Sequence, residues 1–177
     1  MKRAVGFDCN KAFFCTQTFF LTKNNFENSP FAERMKANLV DFKAFETNDK
    51  FDLIVSNPPY FEESSSNKDK IARQTVELNF DQLISTSADF LSERGVFSVI
   101  IPAEIGESFI DIAKEKLLFL NRKIDIFGIE NSKVKRLILE FTLNETEVQE
   151  LDFIIEESPR QYSDSYLELT KEFHIFK

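Results

Sequence analysis

Apolar positions along this chain fall into two habits: short unbroken runs and sets spaced one helical turn apart. Ala4–Phe7 (AVGF) is a short apolar segment that ends at Asp8 and reads as a strand. Between Lys11 and Asn25, Phe13, Phe14, Phe19, Phe20 and Leu21 suit either an amphipathic helix or an insertion. Ser29-Pro30 marks a turn or a helix start, because proline fits the first helical turn. Lys36–Phe42 (KANLVDF) reads as a strand with Asp41 at its end. Phe51–Ser56 (FDLIVS) is a run with β-branched residues, bounded by Asn57-Pro58-Pro59, and predicts a strand buried on both faces of a parallel sheet.

The habit changes after that. Ile71, Val76, Leu78, Leu83, Ile84, Ala88 and Leu91 recur at helical spacing, and Ser92–Gly95 closes the helix with Gly95 as a left-handed cap. Val96–Ile101 (VFSVII) predicts a second buried strand, stopped by Pro102, and Ser108–Leu120 another helix. Ile124–Ile129 and Arg136–Leu143 predict an antiparallel strand pair around Glu130–Lys135. Leu151–Ile155 adds a strand, and Tyr162–Thr170 a closing helix or extended segment. Strand, helix, strand, helix and a terminal strand pair imply an α/β sheet with helices on its faces. Ligands of such sheets sit beyond the carboxyl ends of the strands, which places Asp41 and Asn57-Pro58-Pro59-Tyr60 on one rim. The chain shows no repeat and no linker, so residues 1–177 are expected to form one domain.

Composition narrows the function classes. With 22 basic and 30 acidic residues the net charge is −8, and 42% of residues are apolar, a balance that suits a globular protein and not a disordered tail. No apolar run approaches the roughly 20 residues of a membrane helix, and Ala4–Asn10 is too short and polar for a signal-peptide core. A cytoplasmic protein with no membrane partner is expected. Cys9, Cys15 and the single His174 supply neither a disulfide framework, a zinc site nor a histidine-based triad, so no metal is expected. His174 is expected to pack, and the two cysteines to behave as small free thiols. Gly6, Gly95, Gly106 and Gly128 are the only glycines and stand far apart, so no glycine-rich nucleotide loop is present in the chain.

Asn57-Pro58-Pro59-Tyr60, directly after a buried strand, carries the most specific chemistry. Two prolines fix the backbone and remove two N–H donors, so the loop presents carbonyls in a rigid arrangement. The Asn57 amide oxygen and the Pro58 carbonyl form a pair of acceptors suited to an –NH₂ group. Tyr60 offers a flat face on which a base can stack, worth about 1–3 kcal/mol. An exocyclic amine such as adenine N6 is a poor nucleophile because its lone pair is delocalised into the ring. Accepting both its hydrogens favours a pyramidal nitrogen and stabilises the positive charge that develops during methyl transfer.

The segment FDLIVSNPPYF, with Asp41 before it, resembles the amino-methylating class of S-adenosylmethionine-dependent methyltransferases. Within that class the chain is similar to the bacterial tRNA1(Val) (adenine-37-N6)-methyltransferase family. The similarity runs through NNFENSPFAERM, IARQTVELNFDQLI, RGVFSVIIPAE, VKRLILEF and the tail YSDSYLELTKEFHIF. The resemblance implies a Rossmann-like sheet, S-adenosyl-L-methionine as cofactor and tRNA as substrate, methylated at N6 of adenine 37 in the anticodon loop. It gives Asn57, Pro58, Pro59 and Tyr60 as the catalytic amine-holding loop. Asp41 would be the acceptor for the cofactor's adenine amine, and Asp8 a second cofactor-binding acid. Gly6 stands where a ribose-binding acid is expected, and Ala4–Phe7 resembles the second strand of that sheet. The chain is therefore read as a methyltransferase domain without the first βα unit and its glycine-rich loop.

Three alternatives share these residues. DNA adenine and protein glutamine both present an –NH₂ group to such a loop, and a non-catalytic remnant or RNA-binding fragment would keep the fold without the transfer. An incomplete sheet would expose an edge and so promote self-association. Arg73, with Lys68 and Lys70, and separately Lys133, Lys135 and Arg136, form small basic clusters that read as solvated surface or, where RNA binds, as a local positive patch for its phosphates. Glu145–Glu150 and Glu156-Glu157 would repel it.

Overall fold

A computed structural model describes residues 4–7, 21–34, 36, 46–58 and 69–172. Its strands are β1 (Ala4–Phe7), β2 (Phe51–Ser56), β3 (Leu91–Pro102), β4 (Phe119–Ile129), β5 (Val134–Thr142), β6 (Gln149–Ser158) and β7 (Gln161–Tyr162). The helices are α1 (Asp69–Phe90), α2 (Gly106–Glu115) and α3 (Asp164–Thr170), and residues 21–27 are also helical. The seven strands form one sheet in the order β1-β2-β3-β5-β4-β6-β7. β1, β2 and β3 are mutually parallel, β5 runs antiparallel between β3 and β4, and β6 returns parallel to β4. The expected α/β architecture and the antiparallel β4–β5 pair are both present.

Packing follows from strand alternation. Ile54 on β2, Phe97, Val99 and Ile101 on β3, and Leu137, Leu139 and Phe141 on β5 lie on one face, where α1 adds Phe80, Leu83 and Ile84 and α2 adds Phe109 and Ala113. Phe109 is the hub. Its ring meets Phe80 edge-on at 5.3 Å and lies 5.8 Å from Phe141 and 6.4 Å from Phe97. A surface ion pair, Lys116 to Asp81 at 2.8 Å, joins the end of α2 to α1.

Several expectations need correction. Phe51–Ser56 was expected to be buried on both faces, but only Ile54 and Ser56 are buried, while Leu53 is 38% and Val55 44% exposed. Ala4–Phe7 forms the expected strand and pairs directly with β2, Ala4 with Leu53 through Phe7 with Ser56, and so satisfies the backbone polar groups along that side of β2. Gly95 is not a left-handed cap, since no described glycine has positive φ. The chain passes from α1 straight into β3 and bulges between its Leu91 and Val96 pairings. A Cβ on Gly95 would sit 2.7 Å from the Phe51 carbonyl oxygen, so close backbone approach is what requires glycine there.

α2 also stops short of the expected Leu120. Leu118 N–H bonds the Ala113 carbonyl at 2.9 Å and Leu117 N–H the Lys114 carbonyl at 3.1 Å, with Leu117 at φ 59°. This is a Schellman stop built on leucine where glycine is usual. The fully buried Leu118 anchors the exit of the chain into β4. Tyr162–Thr170 divides between the short β7 and α3. Ser163 caps α3 by accepting from Tyr166 N–H at 3.1 Å while its hydroxyl donates to the Ile154 carbonyl on β6. Within 11–25, only residues 21–25 are described, and they are helical. Beyond them, Ser29 Oγ accepts from Phe31 N–H at 3.1 Å and opens the single 3-10 turn Ala32–Arg34, as the Ser-Pro pair led one to expect. The expected strand Lys36–Phe42 and His174 lie outside the described residues, apart from Lys36 itself.

Candidate active site

The carboxyl ends of the three parallel strands define one rim of the sheet. Phe7 on β1 and Ser56 on β2 are paired in register, so the chain leaves both strands at the same level. Ser56 itself pairs with Val99, and β3 continues three residues further before Pro102. β4 and β5 contribute the turn from Glu130 to Lys133 to the same rim, because Pro102 pairs with Arg136 and Ile126 pairs with Arg136 from the other side.

Asn57 and Pro58 are the predicted site residues that the structure describes. The burial alternation of β2 runs on through them: Ser56 is 2% exposed, Asn57 is exposed and Pro58 is buried. Ser56 and Pro58 thus clamp the backbone on either side of an amide that faces solvent. Among the described residues, no side chain hydrogen-bonds the Asn57 amide, which leaves its oxygen available to an incoming donor. Ser56 was not singled out from the sequence. Its signal was parity, since it falls on the same face as Ile54. Pro59, Tyr60, Asp41 and Asp8 lie outside the described residues, as do Cys9, Cys15, Lys68 and the side chains of Lys70 and Arg73.

The Glu145–Glu147 segment lies on the opposite rim from Lys133 and Lys135, whereas Glu130 and Glu156 share their rim. The chain from Thr142 to Gln149, with Glu145 and Glu147, lies at the amino end of β4, where Asn121 Nδ2 donates to Thr146 Oγ1 at 2.9 Å. Lys133 and Lys135 lie at the opposite, carboxyl rim. Glu156 also lies at the carboxyl rim, paired with Ile129. Among the described residues no group of three or more histidine, cysteine or carboxylate side chains could hold a metal ion, and no helix is long and apolar enough to cross a membrane.

A sheet with this order, with α1 and α2 packed on one face, is that of the Rossmann-like fold. Solved structures share the fold. One described as a predicted O-methyltransferase from Agrobacterium tumefaciens superposes with a TM-score of 0.67 at 11% identity, covering 99% of this chain and 91% of that one. An S-adenosylmethionine-dependent methyltransferase from Clostridium acetobutylicum gives a TM-score of 0.52 at 12% identity, with 81% and 84% covered. Residues 10–134 match the sequence model of the Eco57I restriction-modification methylase family. The chain belongs to the tRNA1(Val) (adenine(37)-N6)-methyltransferase family. It is 48% identical over 158 residues to the member from Flavobacteriaceae bacterium (strain 3519-10), covering 89% of this chain and 68% of that protein. With the Bacteroides thetaiotaomicron and Phocaeicola vulgatus members it shares 33% and 40% identity, each over 86% of the chain. The chain spans about two thirds of the length of these relatives (68%, 66% and 67%).

Proposed function

We propose that this chain acts in methyl transfer from S-adenosyl-L-methionine to the N6 amine of an adenine in tRNA, adenine 37 of a valine tRNA by the names of its relatives. The observation that carries the reading is the exposed Asn57 amide, clamped between buried Ser56 and Pro58 at the carboxyl end of a parallel strand. Asn57 Oδ1 and the Pro58 carbonyl accept the two amine hydrogens. That orients the nitrogen lone pair toward the methyl donor and stabilises the charge the nitrogen gains as the new bond forms. Tyr60 supplies the stacking face for the base, and an anticodon-loop adenine is less costly to splay out than a paired one. The proton lost from nitrogen after transfer leaves to solvent at this open rim.

The cofactor fits the acids assigned to it by donor chemistry. S-adenosyl-L-methionine carries no phosphate; it offers an adenine amine, ribose hydroxyls and an ammonium group, all donors, and carboxylates are acceptors for each. We assign Asp41 to the adenine amine and Asp8 to the ribose hydroxyls. When bound, the cofactor supplies an electrophilic methyl group on a sulfonium. We place the chain in the cytoplasm, with its tRNA substrate.

The test is incorporation of labelled methyl groups into a tRNA pool, duplex adenine-containing DNA and a glutamine peptide, assayed side by side. Label is expected in tRNA as N6-methyladenosine. Asn57→Ala is expected to lower the rate by roughly 10²–10³, the scale of losing one fixed dipole at a developing charge, with cofactor affinity unchanged. Label in DNA or peptide alone would overturn the choice of substrate. No label from a folded chain would identify it as the non-catalytic form of the fold.

A further inference from the structure

The turn between β4 and β5 carries a second feature of this rim. We propose that Lys133 and Lys135 hold the RNA backbone beside the splayed base, an assignment that rests on the tRNA reading of the site and adds the surface along which the RNA lies.

Three observations support it. The first is placement. Asn57 leaves β2 at the level where Ile100 pairs with Ile138, two strand spacings away on β5. Lys135 lies three residues further toward the rim on that strand. With roughly 4.8 Å between strands and 3.4 Å per residue, Lys135 stands about 14 Å from Asn57. That is beyond the reach of the base held there and level with the backbone of the nucleotides flanking it.

The second is rigidity. Ser132 N–H bonds the Ile129 carbonyl at 3.1 Å, Ser132 Oγ accepts from Ile129 N–H at 3.3 Å, and Glu130 N–H donates to the Glu156 carbonyl on β6 at 3.0 Å. Asn131 takes φ 60°, a left-handed conformation that asparagine tolerates better than most residues. Lys135 is steadied by its own stem: a Cβ on Gly128 would lie 3.4–3.6 Å from its Nζ, Cε and Cδ, so the side chain lies across bare glycine backbone.

The third is charge. Lys133 and Lys135 are exposed, and among the described residues neither forms an ion pair, unlike Lys116, Arg122 and Lys123. Arg136 is half-buried and engaged within the protein, so it is left out of the assignment. Beyond the turn, Glu156 and Glu157 at the end of β6 repel phosphate and bound the path on that side. The RNA is thereby directed from Asn57 across Pro102 to the two lysines.

Binding of the tRNA pool to the full chain, measured by fluorescence anisotropy at several salt concentrations, tests this. For K133A/K135A the slope of log K against log salt is expected to become shallower by about 1.4–1.8, two phosphate contacts' worth, with weakening independent of RNA sequence. Arg94→Ala, on an exposed cation near the amino end of β3, is expected to leave the slope unchanged, and both variants should melt with the unmodified chain. If the unmodified chain binds tRNA and K133A/K135A keeps its slope, the lysine assignment is overturned and the tRNA reading stands. If the unmodified chain binds no tRNA at any salt, the tRNA reading fails and the assignment falls with it.

Discussion

The two faces of the sheet solve the burial problem differently. Under α1 and α2 every inward residue of β3 and β5 from Phe97 to Ile101 and Leu137 to Phe141 is buried, and three phenylalanine rings pack around Phe109. The other face is also apolar, with Leu53, Val55, Val96, Ile100, Ile124 and Ile138, yet Leu53 and Val55 keep 38% and 44% of their surface and Leu151 on β6 keeps 51%. Apolar pattern alone therefore does not report burial, since Ile126 on this same face is buried while Leu53 and Val55 are not. Asn57 continues the alternation of Leu53 and Val55, so its exposed amide belongs to the same face as theirs, while its neighbours Ser56 and Pro58 are buried.

That contrast can be broken by substitution. Phe109→Ala should have the largest effect, a loss of about 3–5 kcal/mol in urea unfolding, because the ring fills the centre of the closed face. A loss below about 1 kcal/mol would show that α2 does not organise that face. The sharpest comparison uses one chemistry at two sites. Val99→Thr places a hydroxyl at a position 1% exposed and should destabilise by about 1–3 kcal/mol, whereas Val55→Thr on the neighbouring strand should change stability by less than about 0.5 kcal/mol. Equal effects would contradict the asymmetry. Smaller again is a gain: Leu117→Gly relieves a left-handed leucine that is 68% exposed and should stabilise the chain by roughly 0.5–1 kcal/mol in the same assay.

Self-association was expected through a sheet edge. Among the described residues β1 is a four-residue edge, while β7 pairs with β6 only at Glu156 and Ser158, which leaves the outer side of β6 from Gln149 to Phe153 without a neighbouring strand. We propose that any self-association of this chain runs through that edge.

Much of the architecture was legible because it rests on local signals. The β-branched runs FDLIVS and VFSVII became β2 and the inner part of β3, the long helical spacing became α1, and the Glu130–Lys135 turn joins an antiparallel pair. What was missed has no local signal. Leu117 ends α2 with a residue that favours helices, so spacing alone carried the expectation on to Leu120. Gly95 looked like a cap because glycine commonly is one, and its reason lies in the Phe51 carbonyl, 44 positions away in the chain. The same holds for the gathering of Asn57 and Lys135 on one rim. Their sequence separation says nothing of it; it follows from the insertion of β5 between β3 and β4.

By itself the sequence determined the α/β class and the family, because apolar periodicity and short motifs such as Asn-Pro-Pro-Tyr act over a few residues. Tertiary structure alone decided the neighbour of β2, the face left open and the distance from amide to lysine. Those depend on strand order and on which surfaces the helices cover, and pairing between distant segments is selected by the burial and hydrogen bonding of the whole sheet.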